Sequence, residues 1–111
     1  MSDRELLEKA AKAAGLSVII PASHQRGLWI EGLEDEWNPL EDDGDALRLA
    51  VKLNISVFFR PNFVHAEIAT SAHEGLVLQE PPTPDKNAAT RRAIVRAAAQ
   101  IGEHVEKNNG N

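Results

Sequence analysis

The feature that most constrains the fold is the run from Trp37 to Val51, which joins an aromatic residue, a proline turn, an acidic segment and an apolar helix pattern. Asp42 or Asp43 is predicted to cap that helix, because a short acidic side chain accepts from free amides at a helix start and offsets the macrodipole. The helix is expected to end near Asn54. Its apolar stripe is wide, so we expect it to be well buried with Trp37 as a core anchor; it comprises Ala46, Leu47, Leu49, Ala50, Val51 and Leu53.

A first helix is predicted near the amino terminus. Ser2 and Glu5 have the spacing of a capping box, in which each residue bonds the backbone of the other. Apolar residues then recur at helical spacing, and Gly15 is a natural residue to follow the last turn. The pattern predicts a helix over 3–14.

A third helix is predicted after the proline-rich connector 81–84, with Asp85 or Asn87 as its cap. Its apolar positions follow a period of 3.6 residues, and they are Ala93, Ile94, Ala97, Ala98, Ile101 and Val105. We expect the helix to fray by about Lys107. Residues 1–107 then form a single domain, and 108–111 form a disordered tail.

Short runs of β-branched and aromatic residues predict four strands, or five if 75–78 is included. The runs are 18–20, 28–31, 55–59, 63–68 and 75–78. The first two could pair as a hairpin, and the third and fourth flank a three-residue loop. Both faces of 55–59 are apolar, which indicates cover on both sides. The order α-β-β-α-β-β-(β)-α predicts an α+β fold, a layered α/β/α sandwich with a mostly antiparallel sheet of four or five strands.

Composition excludes several kinds of chemistry. The chain of 111 residues has no cysteine, so disulfides and zinc–thiolate sites are excluded. No phosphate loop, dinucleotide-binding glycine pattern or zincin motif is present, and no cofactor is predicted. The first residues lack the apolar core of a signal peptide, and no apolar run approaches the roughly 20 residues of a membrane span. A cytoplasmic location without membrane partners is therefore expected.

Two stretches carry a family resemblance. One runs from Trp37 to Leu53 and the other from Ala88 to Ala99, where alanines surround Arg91 and Arg92. They resemble the signatures of the phage ABA sandwich domain, a family of small uncharacterised phage and prophage proteins. The resemblance implies a layered helix–sheet–helix fold and a phage-encoded accessory protein made inside a bacterium. It implies no reaction and carries no catalytic residue.

Acidic residues are concentrated in one segment. The net charge is −5, and seven of the twelve residues from 34 to 45 are acidic, namely Glu34, Asp35, Glu36, Glu41, Asp42, Asp43 and Asp45. The run lacks the spacing and the bidentate Glu of an EF-hand, so helix capping explains it better than a cation site. The segment could mimic phosphate toward a basic protein, or it could be a solvated face.

Basic residues suggest an alternative partner. Arg91, Arg92 and Arg96 lie on the predicted last helix, and Arg60 lies at the tip of the predicted hairpin. They could contact phosphates, but salt bridges to the acidic segment or simple solvation explain them as well. A nucleic-acid binder is therefore an alternative function, disfavoured by the net charge.

Histidines provide the only enzymatic hypothesis. His65 and Glu67 alternate onto one strand face and could form an acid–base pair, or they could be exposed polar residues. The remaining histidines, His24, His73 and His104, show no metal-ligand spacing. A small enzyme or nucleotide-binding protein is thus a second alternative, with no catalytic or metal residue assigned.

The function predicted from these features is non-catalytic binding of a host or defence-system protein, such as anti-defence inhibition. Trp29 would be a hot spot if exposed. Exposed hairpin edges can also pair, so a homodimer is a further alternative. The predicted partner-binding residues are Glu34, Asp35, Glu36, Glu41, Asp42, Trp29, Arg60, Arg92 and Arg96.

Overall fold

The computed structural model describes residues 2–19, 27–33, 35–68, 76–82 and 84–109. Within these ranges the α+β class is confirmed, with three helices and two antiparallel sheets. One sheet has the order β1-β2 and the other β3-β4-β5, so the strands divide between two sheets. In chain order the elements are α1 (Asp3–Ala13), β1 (Val18–Ile19), β2 (Trp29–Ile30), α2 (Asp43–Leu53), β3 (Ile55–Phe59), β4 (Val64–Ile68), β5 (Leu76–Glu80) and α3 (Lys86–Asn109).

The predicted helix starts are confirmed. Ser2 and Glu5 form a complete capping box, with the Glu5 amide donating to the Ser2 hydroxyl at 3.1 Å. Asp42 caps α2 by accepting from the Asp45 amide at 2.8 Å. Asp85 caps α3 by accepting from the Ala88 amide at 3.1 Å. In each case the acceptor oxygen satisfies an amide that has no partner within its helix.

The helix ends follow backbone conformation. Gly15, just after α1, has φ +73°, a conformation that glycine adopts without steric cost. Asn54, which follows α2, has φ +56° in the left-handed region that asparagine tolerates. The helix α3 does not fray at Lys107 but continues to Asn109. Residues 110 and 111 of the predicted tail lie outside the described residues.

The last helix is the centre of the packing. It covers one face of the three-stranded sheet, and α1 and α2 also pack against it. Val64, Ala66 and Ile68 point toward α3 and are fully buried. On the other side, Gly102 lets α3 approach α1 so closely that an added Cβ would lie 2.0 Å from the Lys9 carbonyl oxygen.

The predicted hairpin of β3 and β4 is present with a slightly different loop. Phe59 pairs with Val64, and the Arg60 amide donates to the Phe63 carbonyl at 2.9 Å. The loop therefore includes Phe63 and has four residues instead of three. The predicted fifth strand exists as β5, which runs to Glu80 and pairs with β4.

Two burial predictions are wrong. Leu47 and Val51 were expected in a buried stripe on α2, but they are 64% and 68% exposed. Cover on both faces of β3 was also expected, yet Phe58 and Phe59 are 40% and 55% exposed. The helix α2 contacts α3 through a narrower arc than its apolar stripe. Phe58 pairs with His65 on the sheet face away from α3, whereas Phe59 pairs with Val64 on the α3 side but lies on the outer strand of the sheet.

Trp37 is a buried anchor, as predicted. It forms an antiparallel bridge with Leu28, whose amide donates to the Trp37 carbonyl at 2.9 Å. The predicted first hairpin is present, because β1 and β2 pair with Val18 opposite Ile30. Ile20 and residues 21–26, which connect the two strands, lie outside the described residues. Gly27 permits the close approach of these segments, since an added Cβ would lie 2.6 Å from the Trp37 carbonyl oxygen.

Candidate functional site: an acidic groove beside the second helix

A cavity of about 910 Å³ lies between the residues that follow α1, the loop that precedes α2, and one side of α2. We call it the acidic groove. Its apolar wall includes Leu16, Leu49 and Leu33, the last of which is 48% exposed. The lining carboxylates are Asp35, Glu36, Glu41, Asp42 and Asp45, and the basic side chains Arg48 and Lys52 also line it. The sequence identified these acids and Leu49, but it did not single out Leu16 or Leu33.

Three of the five carboxylates hold the walls of the groove. Glu36 accepts from the Gly27 amide at 2.8 Å, and Asp45 accepts from the Asn38 amide at 2.9 Å. Asp45 also accepts from Arg48 at 2.7 Å, while Asp42 caps the helix. These side chains are therefore fixed by internal bonds before any partner arrives. Capping, which was one of the two interpretations of Asp42, is confirmed.

The remaining predicted acids differ in position. Asp35 and Glu41 are exposed in the acidic groove. Asp43 lies outside it, because its carboxylate pairs with Arg91 at 2.6 Å. Glu34 lies outside the described residues. Across the parts of the chain that the structure describes, no group of three or more His, Asp or Glu side chains is placed to hold a metal ion.

The arginines of α3 make separate internal contacts. Arg91 donates through Nε to the Leu40 carbonyl at 2.9 Å as well as binding Asp43, which confirms a salt bridge to the acidic segment. Arg92 pairs with Asp3 of α1 at 3.2 Å. Arg96 pairs with Glu80 of β5 at 2.5 Å. Each arginine thus ties α3 to a different neighbour, and their positive charges are matched locally.

Two predicted contact residues lie away from the acidic groove. Trp29 is half-buried and pairs with Ile19, so its ring is only partly accessible. Arg60 is exposed in the hairpin loop, where its guanidinium carbon is 5.6 Å from the centre of the Phe58 ring. The predicted partner-binding residues therefore do not form one surface.

His65 and Glu67 do face the same side of β4, as predicted, with His65 Nε2 3.4 Å from a Glu67 carboxylate oxygen. Nε2 is buried and makes no hydrogen bond among the described residues. The imidazole ring lies edge-on to Phe58 and stacks on Phe63. Neither residue lines the acidic groove or the second cavity described below, so the pair has no adjoining substrate space there. His24 and His73 lie outside the described residues.

A second cavity, also of about 910 Å³, lies between α2, β3 and the first turns of α3. We call it the apolar groove. Its exposed walls are Leu47, Val51 and Phe59, and Ile94 also lines it. Lys86 extends over the Phe59 ring with Nζ 5.1 Å from the ring centre. The sequence did not predict this groove, because a wide apolar stripe on a helix predicts burial of Leu47 and Val51.

Comparison with known proteins yields no relative. A scan against protein-family models finds no match, and searches of curated proteins and of solved structures find no match either. No helix in the described ranges is long and apolar enough to cross a membrane.

Proposed function

We propose that this chain is a non-catalytic accessory protein that binds a basic segment of another protein in the acidic groove. The observation that carries the proposal is that the exposed Leu33 lines the same cavity as five carboxylates. An apolar centre with a polar rim is the usual anatomy of a protein interface. A partner with an apolar side chain flanked by lysine or arginine would match both parts of the groove.

The groove is organised for binding without large rearrangement. Hydrogen bonds from Glu36 and Asp45 tie its walls to the backbone at Gly27 and Asn38. A preformed surface loses less conformational entropy on association than a flexible one. Carboxylates at the rim would also accelerate encounter with a basic partner, with a strong dependence on salt.

The class of partner follows from the family resemblance. The likeness of two stretches to the phage ABA sandwich domain supports a phage-encoded protein acting in the bacterial cytoplasm. A host protein or defence-system protein is therefore the proposed target, and anti-defence inhibition the proposed outcome. Defence proteins that handle nucleic acid have basic grooves, which an acidic surface can occupy.

Nucleic-acid binding has weaker support. Arg91, Arg92 and Arg96 are each engaged with a carboxylate on a different element, so they do not form a common phosphate-binding surface. The net charge of −5 opposes association with a polyanion.

The test is capture of a partner from bacterial host lysate with wild type and matched charge variants. Asp35→Arg reverses an exposed charge in the acidic groove, and Glu8→Arg makes the same change at an exposed position of α1. We expect a stoichiometric partner that is lost with Asp35→Arg, kept with Glu8→Arg, and weakened by salt. Failure of wild type to capture a partner at low salt, or equal loss with both variants, would contradict the proposal.

A second variant separates shape from charge. Leu33→Ser removes the exposed apolar side chain and leaves every carboxylate in place. Because Leu33 is half-exposed, we expect thermal unfolding to change little. Binding of the captured partner, measured by calorimetry, should weaken about tenfold or more if Leu33 is at the centre of the interface.

A further inference from the structure

The strand β3 is an uncharged edge. Among the described strands it pairs only with β4, which leaves its other side unpaired. Its five residues, Ile55–Phe59, include no charge and no proline. The opposite edge strand, β5, ends in Glu80 and is followed by Pro81 and Pro82. Charges and prolines protect edge strands from pairing with other chains, so β5 has protection that β3 lacks.

The free hydrogen-bonding groups of β3 can be assigned from the hairpin. The Arg60 amide bonds the Phe63 carbonyl, and bonded and non-bonded pairs alternate along an antiparallel ladder. Ser56 and Phe58 therefore direct their backbone groups toward β4. Ile55, Val57 and Phe59 direct theirs outward.

The same three residues face the apolar groove with their side chains. The groove continues from them to Leu47 and Val51 on α2, which lie one helical turn apart and are largely exposed. The unpaired backbone edge and the exposed apolar side chains thus form one continuous surface. A strand added to β3 would bond its free backbone groups and cover the exposed apolar side chains.

We propose that this surface is covered by β3 of a second copy of the chain, paired antiparallel about a twofold axis at Val57. That arrangement places Ile55 opposite Phe59 of the second copy, an apolar pair of the kind that stabilises sheets. Two three-stranded sheets become one of six strands, and the exposed sides of the two α2 helices meet. The strand is complementary to itself in bonding and in side chains, as a twofold interface requires.

Charge favours a second copy as the occupant. The protein is acidic overall, but β3 has no charge, so pairing brings no like charges together along the strands. Leu47 and Val51 line the apolar groove, whereas Arg48 and Lys52 line the acidic groove. The dimer leaves that groove open, and this inference does not depend on the proposed function.

The first experiment measures mass. The chain is 12.1 kDa, so sedimentation equilibrium at micromolar concentration should give twice that value. Phe59→Lys introduces a charge at the edge and should shift the protein to monomer while its circular dichroism stays unchanged. A wild-type protein that is still monomeric at about 100 μM would overturn the proposal.

A second experiment tests the register and does not rely on Phe59→Lys folding. In the proposed dimer Ser56 lies opposite Phe58 of the second copy as a non-bonded pair, with Cα atoms about 4.5 Å apart. That separation suits a disulfide, and the natural chain has no cysteine to interfere. A mixture of Ser56→Cys and Phe58→Cys proteins should therefore form a covalent dimer on mild oxidation.

The controls are each single-cysteine protein alone and Gln100→Cys, an exposed position on α3. The mixed pair should cross-link at least tenfold faster than any of these. Equal rates would overturn the register, and a dimer that cross-links only through Gln100→Cys would overturn the assignment to β3. If Phe59→Lys is monomeric but still captures the partner of the acidic groove, the dimer surface and the acidic groove act separately.

Discussion

Replacing Gly102 with alanine should destabilise the protein, although alanine is the better helix former. In an unconstrained helix the change stabilises by about 1 kcal/mol. At Gly102 the new Cβ would lie 2.0 Å from the Lys9 carbonyl oxygen and 2.8 Å from its carbonyl carbon. Both are backbone atoms, so no side-chain rotation can relieve the clash. The helix α1 would have to move away from α3.

The size of the effect follows from the required movement. Ordinary contacts begin near 3.4 Å, so α1 must retreat by roughly 1.4 Å. That movement loosens the packing of Leu7, Ala10 and Ala11, which are almost fully buried. Overpacking of this kind costs about 3 kcal/mol, which outweighs the gain in helix propensity and leaves a loss of about 2 kcal/mol. The melting temperature should fall by about 8 °C.

Gly44 provides the matched control. A Cβ there would approach the Arg48 guanidinium and the Asp42 carboxylate at 3.2 Å, and both groups are ends of flexible side chains. We expect Gly44→Ala to be neutral or to stabilise by up to about 1 kcal/mol. Urea unfolding at one protein concentration, followed by circular dichroism, measures both variants. A Gly102→Ala protein as stable as wild type would refute the packing argument.

Two further predictions concern ionised groups. The backbone amide of Ser2 donates to the Glu5 carboxylate and lowers the pKa of Glu5 below its ordinary value of 4.5. The ionised Glu5 carboxylate therefore contributes to folding stability above pH 4.5, and this contribution is lost as pH falls through the lowered pKa. The difference in unfolding free energy between wild type and Glu5→Gln should shrink in acid. A difference that stays constant with pH would contradict this expectation. Arg91→Ala should cost about 1–2 kcal/mol in urea unfolding, mainly through the lost bond to the Leu40 carbonyl. Asp43→Ala should cost much less, because Asp43 is exposed, and equal costs would show that the ion pair dominates.

Local features were predictable because their physics is local. A cap needs one acceptor side chain within three residues of a free amide, and Ser2, Asp42 and Asp85 all satisfy that requirement. The hairpin of β3 and β4 was equally predictable, since alternation places Val64, Ala66 and Ile68 on one side of the strand, and the structure shows that this side is the buried one. The shorter predicted loop was an error of one residue at a strand end.

The acidic groove was only partly predictable. The acidic segment was visible as composition, but whether a carboxylate binds the backbone or faces a partner depends on distant residues. Glu36 bonds Gly27, nine residues away, and Asp43 bonds Arg91, 48 residues away. Leu33 was not singled out, because one apolar residue among acids has no periodic pattern.

The sequence by itself determined where the helices begin, which segments form the hairpin of β3 and β4 and that the class is α+β. These properties depend on hydrogen bonds and side-chain alternation within a few residues. Only the tertiary structure decided which apolar residues stay exposed. Burial depends on the arc that a neighbouring element covers, and α3 covers less of α2 and β3 than their apolar residues would fill. Leu47, Val51 and Phe59 are left at the surface for that reason.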